Sequence, residues 1–316
     1  MADTLTPTEI LEHARRLTAA GYELWLASNA DVLRELDLVL RADPAAADAD
    51  QLDPAGPAGT GERGAGGGAD PVRLTPLDFL GPYERAWKLE DLMRAYNVLN
   101  ATAFGTKGIP LQNWVMIDLG LLPSGFLLIT LSRGDAEQAL VDPARSVHER
   151  ERIAGVLPAV LAEADRLGYE GPIPVAGYCA APTPDRAAWV GWSLCSAIPG
   201  LGTVAKGLGL LAYGARTLTG VTQFYDPALR VHRKFGPMRL LAAVLDLHPV
   251  HHTMAYRTEV FAREHADDAE PTLLLDPRDL EAQWALQRRL DAGTHEYFIL
   301  SPGLVEDRVP ILERTV

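Results

Sequence analysis

Residues 187–236 carry the pattern that decides the fold, and they read AAWVGWSLCSAIPGLGTVAKGLGLLAYGARTLTGVTQFYDPALRVHRKFG. An apolar run ends in the turn PGLG at residues 199–202, and the pattern predicts a helix from that turn to about Thr217. A short strand over residues 220–225 and a helix over 227–235 follow. The order strand, glycine turn, helix, strand, helix indicates an α/β unit.

The hydrophobic pattern on both sides of residues 187–236 predicts further strands and helices, which would enlarge the sheet. Residues 126–131 are expected to pair with 114–122, and residues 175–180 with 187–196 across a polar turn. Pro158 is expected to kink or restart its helix. The remaining predicted strands are 240–247, 253–261 and 297–300, and the predicted helices are 7–20, 29–42, 82–104, 147–168 and 277–290.

A change of composition divides the chain. Residues 43–71 contain Leu52 as their one large apolar side chain, so they cannot bury enough surface to offset the entropy of ordering, and we interpret them as a flexible linker. An N-terminal helical segment, 1–42, precedes this linker. The main α/β domain is expected over 72–265, with helix 147–168 inserted, and a C-terminal helix-strand extension over 266–316.

Composition excludes several classes of partner. The 316 residues carry a formal net charge of −13, which disfavours nucleic acid. The N-terminus has no signal-peptide pattern and the chain has two cysteines, so we expect a reducing, cytoplasmic setting. Residues 187–215 carry a single charge, Lys206, but the Pro199-Gly200 break favours a place in the core over a membrane span.

The glycine turn favours an anionic ligand. Residues Gly200, Leu201, Gly202 and Thr203 are expected to form the first turn of a helix. Such a turn leaves backbone N–H groups unpaired, and the helix dipole adds partial positive charge. A tight turn with close helix packing is the plainer interpretation of the same glycines. The charges nearby favour a site for an anionic ligand. Residues 203–239 contain one acidic residue, Asp226, and six basic residues, which are Lys206, Arg216, Arg230, Arg233, Lys234 and Arg239.

This order of elements resembles the GNAT acyltransferase superfamily over about residues 173–261. Residues 193–199 stand where the family has its central strand and bulge, and 200–203 where it has its pyrophosphate loop. Ala228, His232 and Gly236 have the spacing of the family pattern A-x-x-x-Y-x-x-x-G. The resemblance implies a GNAT-like α/β fold, with a mixed, mostly antiparallel sheet flanked by helices and an N-terminal helical extension.

The resemblance also implies a reaction. An acyl group would pass from acetyl-CoA, another acyl-CoA or a carrier-protein pantetheine to the amine of a small molecule, with no metal, and a homodimer is a further expectation. The Leu194–Ser196 backbone would align the pantetheine arm. The expected cofactor-binding residues are Leu194, Ser196, Gly200, Leu201, Gly202, Thr203, Lys206 and Asp226.

His232 is the predicted catalytic acid. The departing thiolate has a reference pKa of about 8.5 and must be stabilised or protonated, which an imidazole can do. A solvent-facing histidine in a basic patch is the plainer interpretation. Tyr225, at the end of the preceding strand, is the next candidate acid, although an aromatic residue beside a turn more often packs.

Two other functions remain open. Ala197, Pro199 and His232 differ from the residues usual in the family at those positions, so a non-catalytic GNAT fold that binds a ligand or a protein is the first alternative. The second is a metal-dependent enzyme that uses the cluster His248, His251 and His252. Cys179 and Cys195 lie in apolar strands and are expected to be inert buried thiols.

Overall fold

The computed structural model describes residues 4–28, 39–40, 72–77, 83–105, 125–185, 187–246, 252–262, 269–301 and 303–316. The predicted linker 43–71 and the predicted strand 114–122 lie outside these ranges. Within the described ranges, no helix is both long enough and apolar enough to cross a lipid bilayer.

The described residues contain seven helices and thirteen strands. The helices are α1 (Pro7–Ala19), α2 (Tyr83–Gly105), α3 (Arg133–Val141), α4 (Val147–Leu167), α5 (Leu201–Ala212), α6 (Ala228–Arg233) and α7 (Leu280–Asp291). The strands are β1 (Glu23–Ser28), β2 (Val39–Leu40), β3 (Val72–Arg73), β4 (Thr75–Leu77), β5 (Gly125–Leu131), β6 (Ile173–Pro182), β7 (Ala188–Ser196), β8 (Thr217–Gln223), β9 (Met238–Ala242), β10 (Thr253–Glu259), β11 (Leu273–Leu275), β12 (His295–Ile299) and β13 (Val309–Thr315).

One sheet joins eleven of the described strands, in the order β11-β13-β12-β9-β10-β8-β7-β6-β5-β1-β4. Its neighbours run antiparallel except for two parallel pairs, β1 with β4 and β7 with β8. The predicted fold class, α/β with a mixed and mostly antiparallel sheet, is therefore confirmed. Strands β2 and β3 form a separate two-stranded sheet.

Several helix boundaries follow from capping residues visible in the sequence. Thr6 and Glu9 form a reciprocal capping box at the start of α1, and Ser146 and Glu149 do the same for α4. Gly168 ends α4 in the left-handed conformation, with φ of 61°. The predicted helices 7–20, 82–104 and 147–168 are confirmed within about two residues, and Pro158 lies inside α4, which continues through it.

The N-terminal segment differs from its prediction. The sequence predicts a helix over 29–42, but the two of these residues that the structure describes, Val39 and Leu40, form strand β2 and pair with Val72 and Arg73. Strand β1 is not predicted, although it has the alternating pattern of a half-buried strand, with Leu24 and Leu26 buried. Because β1 pairs with β5, the N-terminal segment contributes a strand to the main sheet.

Strand β5 also corrects the predicted pairing with residues 114–122. Its two edges are hydrogen-bonded to β1 and β6, so neither is left for that segment. All seven β5 residues are buried, which explains why an unbroken apolar run gives no sign of which neighbours it takes. The hairpin predicted from 175–180 and 187–196 is confirmed as β6 and β7.

Helices α1 and α5 pack closely on one another beside the sheet. A methyl group on Gly207 of α5 would lie 2.8 Å from Cδ1 of Ile10, so the absence of a side chain there allows the approach. At the other end, β12 pairs with β9, and the C-terminal strands thereby extend the same sheet. The C-terminal segment contains α7 and three strands, of which β11 and β13 are not predicted.

Candidate functional site

The sheet opens into a fork between β7 and β8. These parallel strands pair at three positions only, Ala188 with Thr217, Trp189 with Leu218, and Val190 with Thr219. From Gly191 on β7 and Gly220 on β8 onward, the facing edges of the two strands are not paired with each other. Backbone groups along such a gap are available to a ligand.

A bulge on β7 lies just beyond the fork point. In the pairing with β6, Ala180 faces Gly191 and Cys179 faces Ser193, so Trp192 is the extra residue. A bulge bends its strand and increases the local twist, which moves β7 away from β8. Trp192 is 54% exposed and lies at the rim of the opening.

The gap contains a cavity of about 390 Å³. Its walls come from β7, β8, the first two turns of α5, α6, and one or two residues each of α2, α4, β6 and β10. A volume of this size lies within the range of small-molecule sites. The sheet thus has a ligand-sized opening where β7 and β8 separate.

Helix α5 begins at the wide end of this gap. Four residues separate Ser196, the last residue of β7, from Leu201, the first residue of α5. Gly200 is the N-cap residue and has φ of 88°, a conformation that favours glycine. Glycine has no side chain to cap the helix. In the first turn the Leu201 N–H donates to the Ile198 carbonyl oxygen at 3.3 Å and the Thr203 N–H to the Gly200 carbonyl oxygen at 3.1 Å, so the positive end of the helix dipole is what this end of α5 offers to an anion.

Most of the predicted site residues meet around this cavity. Eight of the ten line it, namely Leu194, Ser196, Gly200, Gly202, Thr203, Lys206, Asp226 and His232. Asp226 is buried, and its Oδ1 accepts a hydrogen bond from the Ala228 N–H at 2.8 Å. The N-cap residue of α6 is Pro227, so Asp226 stands one residue before the cap.

The other two predicted residues lie elsewhere. Leu201 is 4% exposed and packs in the core, where it anchors the first turn of α5. Tyr225 is not among the residues that line the cavity. It is 39% exposed, and its ring packs edge-on against His252 at a centroid distance of 5.9 Å. These contacts agree with the interpretation of Tyr225 as an aromatic residue that packs beside a turn.

Lys206 and His232 form a buried pair at the closed end of the cavity. Lys206 Nζ lies 2.8 Å from His232 Nδ1 and 3.5 Å from the hydroxyl of Tyr256. It also lies over the Phe235 ring, 5.0 Å from the centroid. Burial lowers the pKa of Lys206 to about 7, because the ammonium has lost its water. Its position is therefore deep in the site, away from the solvent-facing rim.

Two tyrosines of the site were missed in the sequence. Tyr178 on β6 and Tyr256 on β10 are 2% and 1% exposed, and both line the cavity. Burial raises the pKa of each phenol well above its usual value. The available signal was a glycine on each neighbouring strand, Gly191 and Gly220, since a ring can lie over a strand only where a side chain is missing.

The predicted basic cluster does not form a single patch. Arg233 is buried and donates to the carbonyl oxygens of Ile299 and Gly236, at 2.9 and 3.0 Å. Arg239 pairs with Glu296. Of the six basic residues, Lys206 is the one that lines the cavity. Sequence proximity therefore overstated the positive charge near the site.

The two cysteines have the properties expected of structural thiols. Both are buried and free, and burial raises the pKa of each to about 12. The Cys195 thiol donates to the hydroxyl of Tyr96 at 3.1 Å.

The predicted histidine cluster is described in part. His248 and His251 lie outside the described residues. His252 Nδ1 lies 3.2 Å from Gln283 Oε1. Within the described ranges, no three His, Cys, Asp or Glu side chains are grouped as metal ligands.

Comparison with known proteins adds no assignment: no family model matches the chain, and no curated protein matches it.

Proposed function

We propose that this protein transfers an acyl group from a CoA or carrier-protein pantetheine thioester to the amine of a small molecule, as GNAT acyltransferases do. The observation that carries the proposal is the fork between β7 and β8, with the N-terminus of α5 at its wide end. A pantetheine arm is a narrow chain with two amides, and it suits a gap between two unpaired strand edges. A diphosphate suits the start of a helix capped by glycine.

The arrangement orders the donor along the cleft. The diphosphate would lie at Gly200, Gly202 and Thr203, and the arm would run between β7 and β8 toward the fork point. The thioester would then reach the closed end, near His232. The amine nitrogen attacks the thioester carbonyl carbon, the C–N bond forms as the C–S bond breaks, the amine releases a proton to water, and the thiolate gains one.

His232 is the proposed proton donor to the thiolate. Its hydrogen bond with Lys206 holds the ring in place, and the pair can share one additional proton between Nζ and Nδ1. With the pKa of Lys206 at about 7, this proton is more acidic than that of a free thiol, whose reference pKa is about 8.5. The proposed step is proton transfer from this pair to the departing thiolate.

Calorimetric titration with CoA tests the proposal. A methyl group on Gly202 would lie 3.6 Å from Ser196 Cβ and 3.7 Å from Leu194 Cδ1, so a longer side chain must project into the cleft. We expect wild type to bind CoA and Gly202→Leu to bind it at least about tenfold more weakly, because the added side chain displaces the donor.

Gly134→Leu is the matched control. Gly134 is exposed in the first turn of α3, a methyl group added there would have no neighbouring atom within 4 Å, and the residue does not line the cavity. The control is expected to bind CoA as wild type does. Failure of the wild-type protein to bind CoA at millimolar concentration would contradict the proposal. Binding without release of thiol in the presence of amines would instead support the non-catalytic alternative.

A further inference from the structure

The closed end of the cleft is built around two glycines and two tyrosines. Gly191 and Gly220 follow directly after the last paired residues of β7 and β8. A methyl group on Gly191 would lie 3.3 Å from the hydroxyl of Tyr178, and one on Gly220 would lie 2.5 Å from that of Tyr256. Both phenol groups therefore lie against the fork point, on the side of the sheet that carries the cavity's closed end.

The hydroxyl of Tyr178 has no hydrogen-bond partner within the part of the chain that the structure describes. A buried hydroxyl without a partner costs free energy, so its presence beside a cavity favours a ligand atom that completes it. The neighbouring groups, Tyr256 and Lys206, are also hydrogen-bond donors. The closed end thus presents several donors to whatever occupies it.

Lys206 adds a buried charge to the closed end. Its ammonium contacts the ring nitrogen of His232, the hydroxyl of Tyr256 and the ring of Phe235. The described carboxylate that lines the same cavity, that of Asp226, accepts a hydrogen bond from the Ala228 N–H. An isolated buried cation is unfavourable, and proteins usually pair one with an anion. A ligand carboxylate in the cavity would supply such an anion.

From this geometry we infer that the closed end binds a carboxylate of the substrate, so that the preferred donor carries a dicarboxylic half-thioester such as a succinyl group. The inference rests on the proposed function, since it takes the acyl end of the donor to lie at the fork point. Lys206 would pair with the carboxylate, and Tyr178 would donate a hydrogen bond to one of its oxygens.

Binding should then take up a proton. The carboxylate favours the charged form of Lys206, whose pKa in the empty site is about 7, so the ligand raises this pKa and draws a proton from solvent near pH 7.5. Among the described residues, His232 from α6 and Tyr256 from β10 are titratable groups in contact with Lys206, and Asp226, Cys195 and Arg152 line the same cavity. The phenol of Tyr256 stays neutral in this range because burial raises its pKa.

Calorimetric titration with succinyl-CoA, butyryl-CoA and CoA separates the alternatives. Succinyl and butyryl groups have four carbons each and differ by a carboxylate in place of a methyl group. We expect wild type to bind succinyl-CoA at least about tenfold more tightly than butyryl-CoA, as a charge-assisted contact provides. Titrations in buffers of different ionisation enthalpy should show proton uptake with succinyl-CoA and little with butyryl-CoA.

Two variants test the residues. Lys206→Met should reduce the succinyl-to-butyryl affinity ratio to within about threefold of one and abolish the proton uptake. Tyr178→Phe removes one oxygen atom at an otherwise unchanged site and should reduce the ratio by a smaller factor, which keeps the test available if Lys206→Met fails to fold.

The outcomes distinguish the acyltransferase proposal from the carboxylate site. If CoA binds but butyryl-CoA binds as tightly as succinyl-CoA, the carboxylate site is wrong and the acyltransferase proposal stands. If none of the three ligands binds, both are wrong. A succinyl preference that persists unchanged in both variants also overturns the inference, because the selecting groups would then lie elsewhere.

Discussion

Lys206 shows how burial changes the chemistry of a residue that looks ordinary in the sequence. It is the single charge in residues 187–215, and the sequence predicts an anion-binding side chain near the glycine turn. The structure places it at 1% exposure, beside His232 and Tyr256. Its charge was predictable, whereas its depth and its contact with His232, 26 positions further along the chain, depend on how α5 and α6 pack.

The buried lysine predicts a pH-dependent stability. Burial lowers the folded-state pKa of Lys206 to about 7, so between about pH 7 and pH 10.5 the unfolded chain binds more protons at this site than the folded protein does. Raising the pH through this window therefore favours the folded state, by at most about 1.4 kcal/mol per pH unit. Lys206→Met lacks this pH-dependent contribution. The difference between the urea midpoints, variant minus wild type, should therefore decrease from pH 7 to pH 10.

Lys234→Met provides the comparison for that experiment. Lys234 lies just after α6, and its side chain is only partly buried. This variant should follow the wild-type pH profile of urea midpoints. Parallel profiles for wild type and Lys206→Met would mean that the folded protein accommodates the Lys206 ammonium at no cost, contrary to its surroundings.

At the scale of elements, the sequence predicts the order β7, glycine turn, α5, β8, α6 because each boundary carries a local signal. The fork was not predictable in the same way. It depends on a bulge at Trp192 and on the end of pairing after Val190 and Thr219, and both are properties of neighbouring strands. Strands β11 and β13 were also missed: β11 has three residues, and β13 lies between β11 and β12, the strand that precedes it in the chain.

The two glycines at the fork should differ in their tolerance of a side chain. On Gly220 an added methyl group would overlap the buried hydroxyl of Tyr256 at 2.5 Å, whereas on Gly191 it would make a tight contact of 3.3 Å with Tyr178. We expect Gly220→Ala to lower the free energy of unfolding by roughly 1–3 kcal/mol, and Gly191→Ala by less than about 1 kcal/mol. Urea denaturation measures both, and equal losses would contradict the proposed arrangement of the two rings.

At the scale of the whole molecule, Arg233 connects the region around the site to the C-terminal strands. It extends from α6 and donates to the carbonyl oxygens of Ile299 on β12 and of Gly236. Arg233→Met would leave both buried acceptors without this donor, so we expect the free energy of unfolding to fall by roughly 2–4 kcal/mol in urea denaturation.

Arg230→Met is the matched control for Arg233, because it lies on the same helix and is exposed. Its effect should stay within about 0.5 kcal/mol. If the two variants lose stability equally, Arg233 stabilises the protein through its positive charge on α6 and not through its hydrogen bonds to the carbonyl oxygens. The sequence could not separate these two arginines, since the separation depends on a contact with β12, 66 positions away.

The strand order has one more consequence, for how copies of this protein behave at high concentration. Within the described residues the sheet ends on two strands of three residues, Thr75–Leu77 and Leu273–Leu275. Edge strands this short present few backbone N–H and C=O groups to which another chain could hydrogen-bond, and Pro76 has no N–H. Although it is wide and carries Leu274 half exposed, the sheet is therefore poorly suited to recruit further molecules into a growing fibril.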